Sequence, residues 1–347
     1  MILVIIAGGS GTRLWPLSTP DYPKHLLKIN SDSNSILQNT YARARAIADK
    51  IYVVSESGHI NHVRDQLSDL DPDHFIVEPA RRGTANCIVA ALVKLGYKED
   101  HNEPVAFIHA DHFIRDIKGF EYSFRTAEDI TKEQNKIVLV GVEPSYPATG
   151  FGYIEKDDMT DDDALVYNVV SFKEKPDFET AKEYLRSGRY LWNCGYFVGS
   201  INTFRNKMEE FAPNLLSNYD ELMALDETGF DKKYLELNNE AIDYALIEKV
   251  KDLLVVPAGF DWVDLGSFSD LSKVVDSDRN GNFMYGNIEA EDVTNSYIEN
   301  HEAKPVAVIG LDNCVVVNTE SGVLVLRKDL SQKVGDIVKK LPPKSYI

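Results

Sequence analysis

The sequence predicts an α/β fold: a mostly parallel sheet covered by helices on both faces, followed by a small all-β unit. Three observations carry this. Short apolar runs alternate with amphipathic helical patterns through the first half, and strands alternating with helices of that length imply right-handed crossovers and parallel pairing. The chain has 347 residues, beyond the roughly 250 to 300 at which a single core stops growing. Past Asp276 the pattern changes to closely spaced short apolar runs behind the turn-rich Asn280-Gly281-Asn282. The expected division is a large domain over 1–276, with parts 1–145 and 146–276, and a C-terminal unit over 277–347.

Taken in order, Ile2-Leu3-Val4-Ile5-Ile6 is almost wholly apolar and reads as a first strand buried on both faces. Further strand candidates are Ile51 to Val54, Phe75 to Val77, Val105 to His109 and Ile137 to Val142, separated by helical patterns at Ile36 to Ala48, Ala85 to Lys98 and Phe120 to Lys132. From Gly150 to Gly266 the chain is less regular. Strand candidates at Gly152 to Glu155, Val166 to Lys173 and Gly195 to Ser200 lie among helical stretches. The acidic run Asp157, Asp158, Asp161, Asp162 and Asp163 falls between two of them and reads as a solvated hairpin tip. The last unit offers runs at Val306 to Ile309, Cys314 to Val317 and Val323 to Leu326, and Leu330 to Leu341 has the spacing of a short amphipathic helix that packs rather than meets a membrane.

Composition narrows the function classes. A charged fraction of 27% and a hydrophobic fraction of 44% are those of a globular protein. The formal net charge of -18 argues against broad binding to nucleic acid or an anionic membrane surface. No apolar run approaches the roughly 20 residues of a membrane span, and no basic n-region precedes the first strand, so a cytoplasmic location is expected. Cys87, Cys194 and Cys314 are odd in number and far apart, which speaks against disulfides or structural zinc. All three are expected to be buried small side chains, with a nucleophilic Cys194 the minor alternative.

The loop Ala7-Gly8-Gly9-Ser10-Gly11-Thr12-Arg13 leaves the first strand where a parallel sheet presents its ligands. Glycines let the backbone turn N–H groups inward toward an anion, and Arg13 and Lys24 add full positive charge. Leu14 stands where a dinucleotide fingerprint needs glycine, and no Walker G-K-[ST] follows. By itself the loop fits a phosphate cradle or an ordinary turn with a solvated arginine.

Read whole, Gly8 to Lys24 resembles the opening motif of the sugar nucleotidyltransferases, with Leu14-Trp15-Pro16-Leu17-Ser18 in the form of their guanylyl-transferring branch. The resemblance runs to Ser267. It implies a Rossmann-like nucleotidyltransferase domain and a C-terminal unit resembling a short left-handed β-helix, used by the family in homodimer contacts. It also implies transfer of GMP from GTP to mannose 1-phosphate by in-line attack, with Mg²⁺ as cofactor and no covalent intermediate. Thr19, His25, Gly83, Asn86 and His109 depart from the family pattern.

By the same resemblance, Ala7, Gly8, Gly9, Gly11, Thr12 and Arg13 wrap the triphosphate, and Arg13 and Lys24 contact the leaving pyrophosphate. Asp111, just after a strand, and Asp264 in Trp262-Val263-Asp264-Leu265-Gly266 are the implied metal ligands. Each alone could be a capping or structural aspartate. Glu78, Arg82, Thr84 and Ala85 match the family's nucleoside motif, though the same residues suit an ordinary helix start. On the sugar side stand Gly152, Glu174, Lys175, Asn193 and Asp243, with Glu248 in the same Asp-Tyr-Ala-x-x-Glu-Lys pattern; Asp243 and Glu248 alone would read as a cap and a surface charge. Rival readings are transfer with another hexose or heptose 1-phosphate or another nucleoside triphosphate, and a non-catalytic regulator that binds GDP-sugar. A nicotinamide oxidoreductase is disfavoured by the broken fingerprint.

Overall fold

The computed structural model describes residues 1–9, 11–29, 33–161 and 165–341, the side chains of 158–161 excepted. Asp162 and Asp163 of the acidic run lie outside the described residues.

Among the described residues, eleven strands build the large domain: β1 Ile2–Ala7, β2 Lys50–Glu56, β3 Phe75–Glu78, β4 Pro104–His109, β5 His112–Phe113, β6 Val138–Val142, β7 Gly152–Asp161, β8 Val166–Lys173, β9 Tyr190–Ser200, β10 Leu254–Pro257 and β11 Val263–Asp264. Nine of them form one sheet in the order β3-β2-β1-β4-β9-β6-β10-β8-β7. The pairings β3–β2, β2–β1, β1–β4 and β6–β10 are parallel, whereas β8 and β9 run against their neighbours. The parallel half is the one with crossover helices between its strands. In the other half, a short link lets β7 and β8 pair antiparallel, and β9, reached through helix Phe178–Ser187, runs antiparallel to β7 as well.

The first strand shows how the sequence sets the layers. Alternate side chains of a strand point to opposite faces, so Ile2, Val4 and Ile6 join the core under helix Gly83–Gly96, while Leu3, Ile5 and Ala7 join the one under helices Ile36–Ile47 and Ile117–Gln134. All six are buried. An uninterrupted apolar run is what such a two-sided position requires.

Beyond Asp276, strands Phe283–Tyr285, Tyr297–Asn300 and Cys314–Thr319 stack in parallel, and Ile288–Glu291 pairs in parallel with Val306–Ile309. Parallel rungs joined by such short links make a β-helix-like coil. Asn318 Nδ2 donates to Asn300 Oδ1 on the rung beside it at 2.9 Å, a side-chain bond that repeats the stacking. Strand Gly322–Arg327 folds back antiparallel on the last rung. The expected terminal helix is shorter than its pattern: a 3₁₀ segment Lys328–Lys333 leads into one α-helical stretch, Val334–Val338. Val334 and Val338 pack with Leu14, Trp15, Leu265, Phe268 and the rung residues Val315 and Val317 in a third core.

Candidate active site

Two of the shortest strands make the site. The turn after β4 carries Asp111 and leads into β5, which pairs antiparallel with β11 so that Asp264 stands opposite His112. This two-residue ribbon brings together two aspartates that the sequence leaves far apart. Their carboxylates converge on Lys24, whose Nζ lies 2.9 Å from Asp111 Oδ2 and 3.1 Å from Asp264 Oδ1 and donates to the Leu265 carbonyl at 3.3 Å. Lys24 is buried. Burial alone would lower its pKa, but Asp111 and Asp264 outweigh that and hold it above the ordinary lysine value. For Asp111, burial pushes the carboxyl up; Lys24, His112 and His109 together pull it well below the usual carboxylate range. The site is therefore a preformed pattern of fixed charges.

Gly11 lets the loop close over it. Its φ of 59° is left-handed, and a Cβ there would lie 2.9 Å from the Lys24 backbone nitrogen. The loop then turns through the 3₁₀ segment Thr12–Leu14, which presents Arg13 at the mouth. Arg13 Nη1 donates to Gln332 Oε1 at 3.0 Å.

The cavity has a volume of about 360 Å³. Gly9, Gly11, Thr12, Arg13, Lys24, Asp111 and Asp264 line one side; Gly152, Glu174, Lys175, Asn193 and Asp243 line the other. The second group is tied together: Asn193 Nδ2 donates to Asp243 Oδ1 at 2.7 Å, Lys175 Nζ to Glu174 Oε1 at 2.6 Å, and Glu248 Oε1 accepts from the Glu174 backbone N–H at 3.1 Å. Glu174 Oε2 is buried without a hydrogen-bond partner among the described residues, an acceptor available to a ligand hydroxyl. Burial raises the Glu174 pKa.

The expected nucleoside residues lie elsewhere. Glu78 accepts from the Tyr234 hydroxyl, Arg82 donates to the Leu235 carbonyl, Thr84 Oγ1 accepts from the Ile242 N–H at 2.9 Å and the Ala85 N–H donates to the Glu240 carbonyl at 3.1 Å. All four bond to residues 234–242, and none of them lines the cavity. Ala7 and Gly8 do not line it either; Ala7 is fully buried at the end of β1.

His109, His112, Phe151, Gly195 and Trp262 also line the cavity without having been singled out as site residues, together with Leu14, Gly150, Cys194 and Gly266. His112 neighbours Asp111 in sequence, and its Nδ1 sits 2.9 Å from the Tyr196 hydroxyl, which anchors the ribbon. Of the cysteines, Cys87 and Cys194 are buried as expected, but Cys314, the first residue of the rung Cys314–Thr319, is only half-buried. Burial pushes the Cys194 thiol up to about 12, and its Sγ donates to the Val140 carbonyl at 3.0 Å, so it is no nucleophile.

Among the described residues, no three His, Cys, Asp or Glu side chains cluster as a metal cage. The pair Asp111 and Asp264 still fits a hard divalent cation, because two carboxylate oxygens already converge on one positive group and such ions complete their shells with phosphates and water. No helix is long and apolar enough to cross a membrane among the described residues.

Comparison with known proteins agrees with this layout. Residues 2–281 match the nucleotidyl transferase family and residues 286–341 the MannoseP isomerase/GMP-like beta-helix domain. A mannose-1-phosphate guanylyltransferase of Escherichia coli is 34% identical, covering 98% of this chain and 75% of its own, and one of Klebsiella pneumoniae is 35% identical over 98% and 73%. A solved structure from Thermus thermophilus, described as a mannose-1-phosphate geranyltransferase, covers 98% of both chains with a TM-score of 0.87 and 26% identity. A UDP-glucose pyrophosphorylase complexed with UDP-glucose shares the fold over 78% of this chain, with a TM-score of 0.52 and 17% identity.

Proposed function

Because this chain belongs to the nucleotidyl transferase family, we propose that it transfers GMP from GTP to mannose 1-phosphate, forming GDP-mannose and pyrophosphate. The observation that carries this reading is the meeting of Asp111 and Asp264 on Lys24, opposite a wall of sugar-type ligands in the same cavity. In this reading 1–145 holds the nucleotide, 146–276 the sugar phosphate, and 277–347 buttresses the loop.

A phosphate oxygen of the sugar phosphate attacks the α-phosphorus of GTP, and the bond to the β-phosphate oxygen breaks in line. Such chemistry needs positioning and charge neutralisation more than a nucleophile on the protein. Arg13 and Lys24 meet the pyrophosphate as it leaves, which carries no proton to be supplied at this step. Lys175 draws the sugar phosphate in, while Glu174, Asn193 and Asp243 accept from or donate to sugar hydroxyls. Asp111 and Asp264 would hold Mg²⁺, which when bound supplies further charge neutralisation at the triphosphate.

The test is pyrophosphate release across a panel of sugar 1-phosphates and nucleoside triphosphates with Mg²⁺ present. GTP with mannose 1-phosphate is expected to give the highest kcat/KM. A different pair in first place would overturn the substrate assignment, and GDP-mannose binding without turnover of any pair would make the protein a regulator.

A further inference from the structure

The C-terminal unit reaches the nucleotide loop at several points. Gly322, with φ of 143°, lets the last hairpin press flat on Trp15, since a Cβ there would lie 2.7 Å from the indole ring. One residue on, Pro16 offers its carbonyl to the Thr319 hydroxyl at 3.4 Å. From the other side Val334 and Val338 bury against Leu14 and Trp15, and Gly335 packs on Arg13 and Thr12, where a Cβ would lie 3.5 Å from Arg13 Cγ and 3.7 Å from Thr12 Oγ1. These contacts bring Gln332 to Arg13, which lines the cavity, and the Gln332 Oε1 accepts from Arg13 Nη1 at 3.0 Å.

We infer that Gln332 is the positioning residue for Arg13, so that the terminal segment Lys328–Val338 belongs to the nucleotide site although it comes from the other unit. A free arginine samples many rotamers, and ordering it on binding costs free energy. A neutral amide oxygen fixes the guanidinium without cancelling its charge. Arg13 makes no ion pair among the described residues, so its charge stays available to an anion, which a carboxylate at the same place would not allow.

The inference rests on the guanylyl-transfer reading. Its test is Gln332→Ala and Gln332→Glu in the full chain, with Lys339→Ala just beyond the segment as control, assayed forwards and in pyrophosphorolysis. Losing this one exposed hydrogen bond from the guanidinium is expected to cost about five- to ten-fold, as a raised KM for pyrophosphate and a lowered forward kcat, with the KM for mannose 1-phosphate and the melting temperature unchanged. Gln332→Glu should raise the KM for pyrophosphate further, because the new carboxylate competes for Arg13. Wild-type values in both variants, or equal shifts in both KM values, would overturn the positioning role; an inactive wild-type protein would instead sink the underlying reaction.

Discussion

Asp264 is the residue whose replacement separates chemistry from folding. Its side chain is 27% exposed and among the described residues makes one ion pair, with Lys24, which keeps Asp111 as a second partner. Asp264→Asn should thus leave the melting temperature nearly unchanged and lower kcat by about 100-fold or more, the scale of losing one preorganised charge at a transition state; undiminished turnover would remove its role. Lys175 lies across the cavity with its ammonium half-exposed and paired only to Glu174 among the described residues. Lys175→Ala should raise the KM for mannose 1-phosphate at least ten-fold, as expected for one hydrogen bond to a charged group, and spare that for GTP. A parallel rise in both would reassign it. His25 gives the pH prediction. It is fully buried, both ring nitrogens lack partners among the described residues, and burial, opposed by Asp111 and reinforced by His59, pushes its pKa down to about 4. The unfolded chain then binds the proton more readily, so the stability from a neutral ring is full above pH 6.5 and is lost as the pH falls toward 4. Between pH 7.5 and 5 this residue should account for about 2 kcal/mol, and His112, shifted the same way, adds to the trend. Urea midpoints of wild type and His25→Gln at the two pH values check it; identical pH slopes would discard the assignment.

At the scale of elements, what the sequence shows and what it hides have separate causes. The apolar run of β1 and the amphipathic pattern of helix Ile117–Gln134 are local signals, and the structure places both where the periodicity puts them. The β5–β11 ribbon has no such signal: two residues per strand carry no period, and their partners are distant in the chain. Without it, nothing in the residues themselves shows that Asp111 and Asp264 meet; only the resemblance to a family pairs them. The rungs Phe283–Tyr285, Ile288–Glu291 and Tyr297–Asn300 were hidden for a related reason, since exposed rung residues such as Glu289 and Glu291 break the apolar run. The helix start Gly83–Gly96 is subtler. Glu78, Arg82, Thr84 and Ala85 fasten residues 234–242, immediately before Asp243 and the Asp243–Asn193 pair of the sugar wall. Thr84→Ala, which removes the acceptor for the Ile242 N–H, should therefore raise the KM for mannose 1-phosphate about five-fold and leave that for GTP alone. The opposite pattern, a change confined to GTP, would return Thr84 to the nucleotide side.

The whole molecule is held as one piece by the third core, where the large domain and the coil meet. Leu14, Trp15, Leu265, Phe268 and Leu271 come from the large domain, and Phe283, Tyr297, Val315, Leu324, Val334 and Val338 from the coil and its terminal segment. Fully burying a side chain of this kind stabilises by about 1.5 to 3 kcal/mol, so stripping the partners from five of them approaches the whole stability of a typical domain, about 5 to 15 kcal/mol. Two of the five, Leu14 and Trp15, belong to the nucleotide loop, so the same cut that costs stability also frees the loop from Gly322 and Val334. A fragment ending at Asp276 is expected to bind a hydrophobic dye, to lack a cooperative thermal transition and to have no measurable GTP affinity, whereas the full chain unfolds in one transition. Calorimetry on both, with GTP titration of each, decides the matter. A fragment that melts cooperatively and still binds GTP would mean that the loop is shaped within the large domain alone, and that the coil is an attached neighbour rather than one wall of the same folding unit.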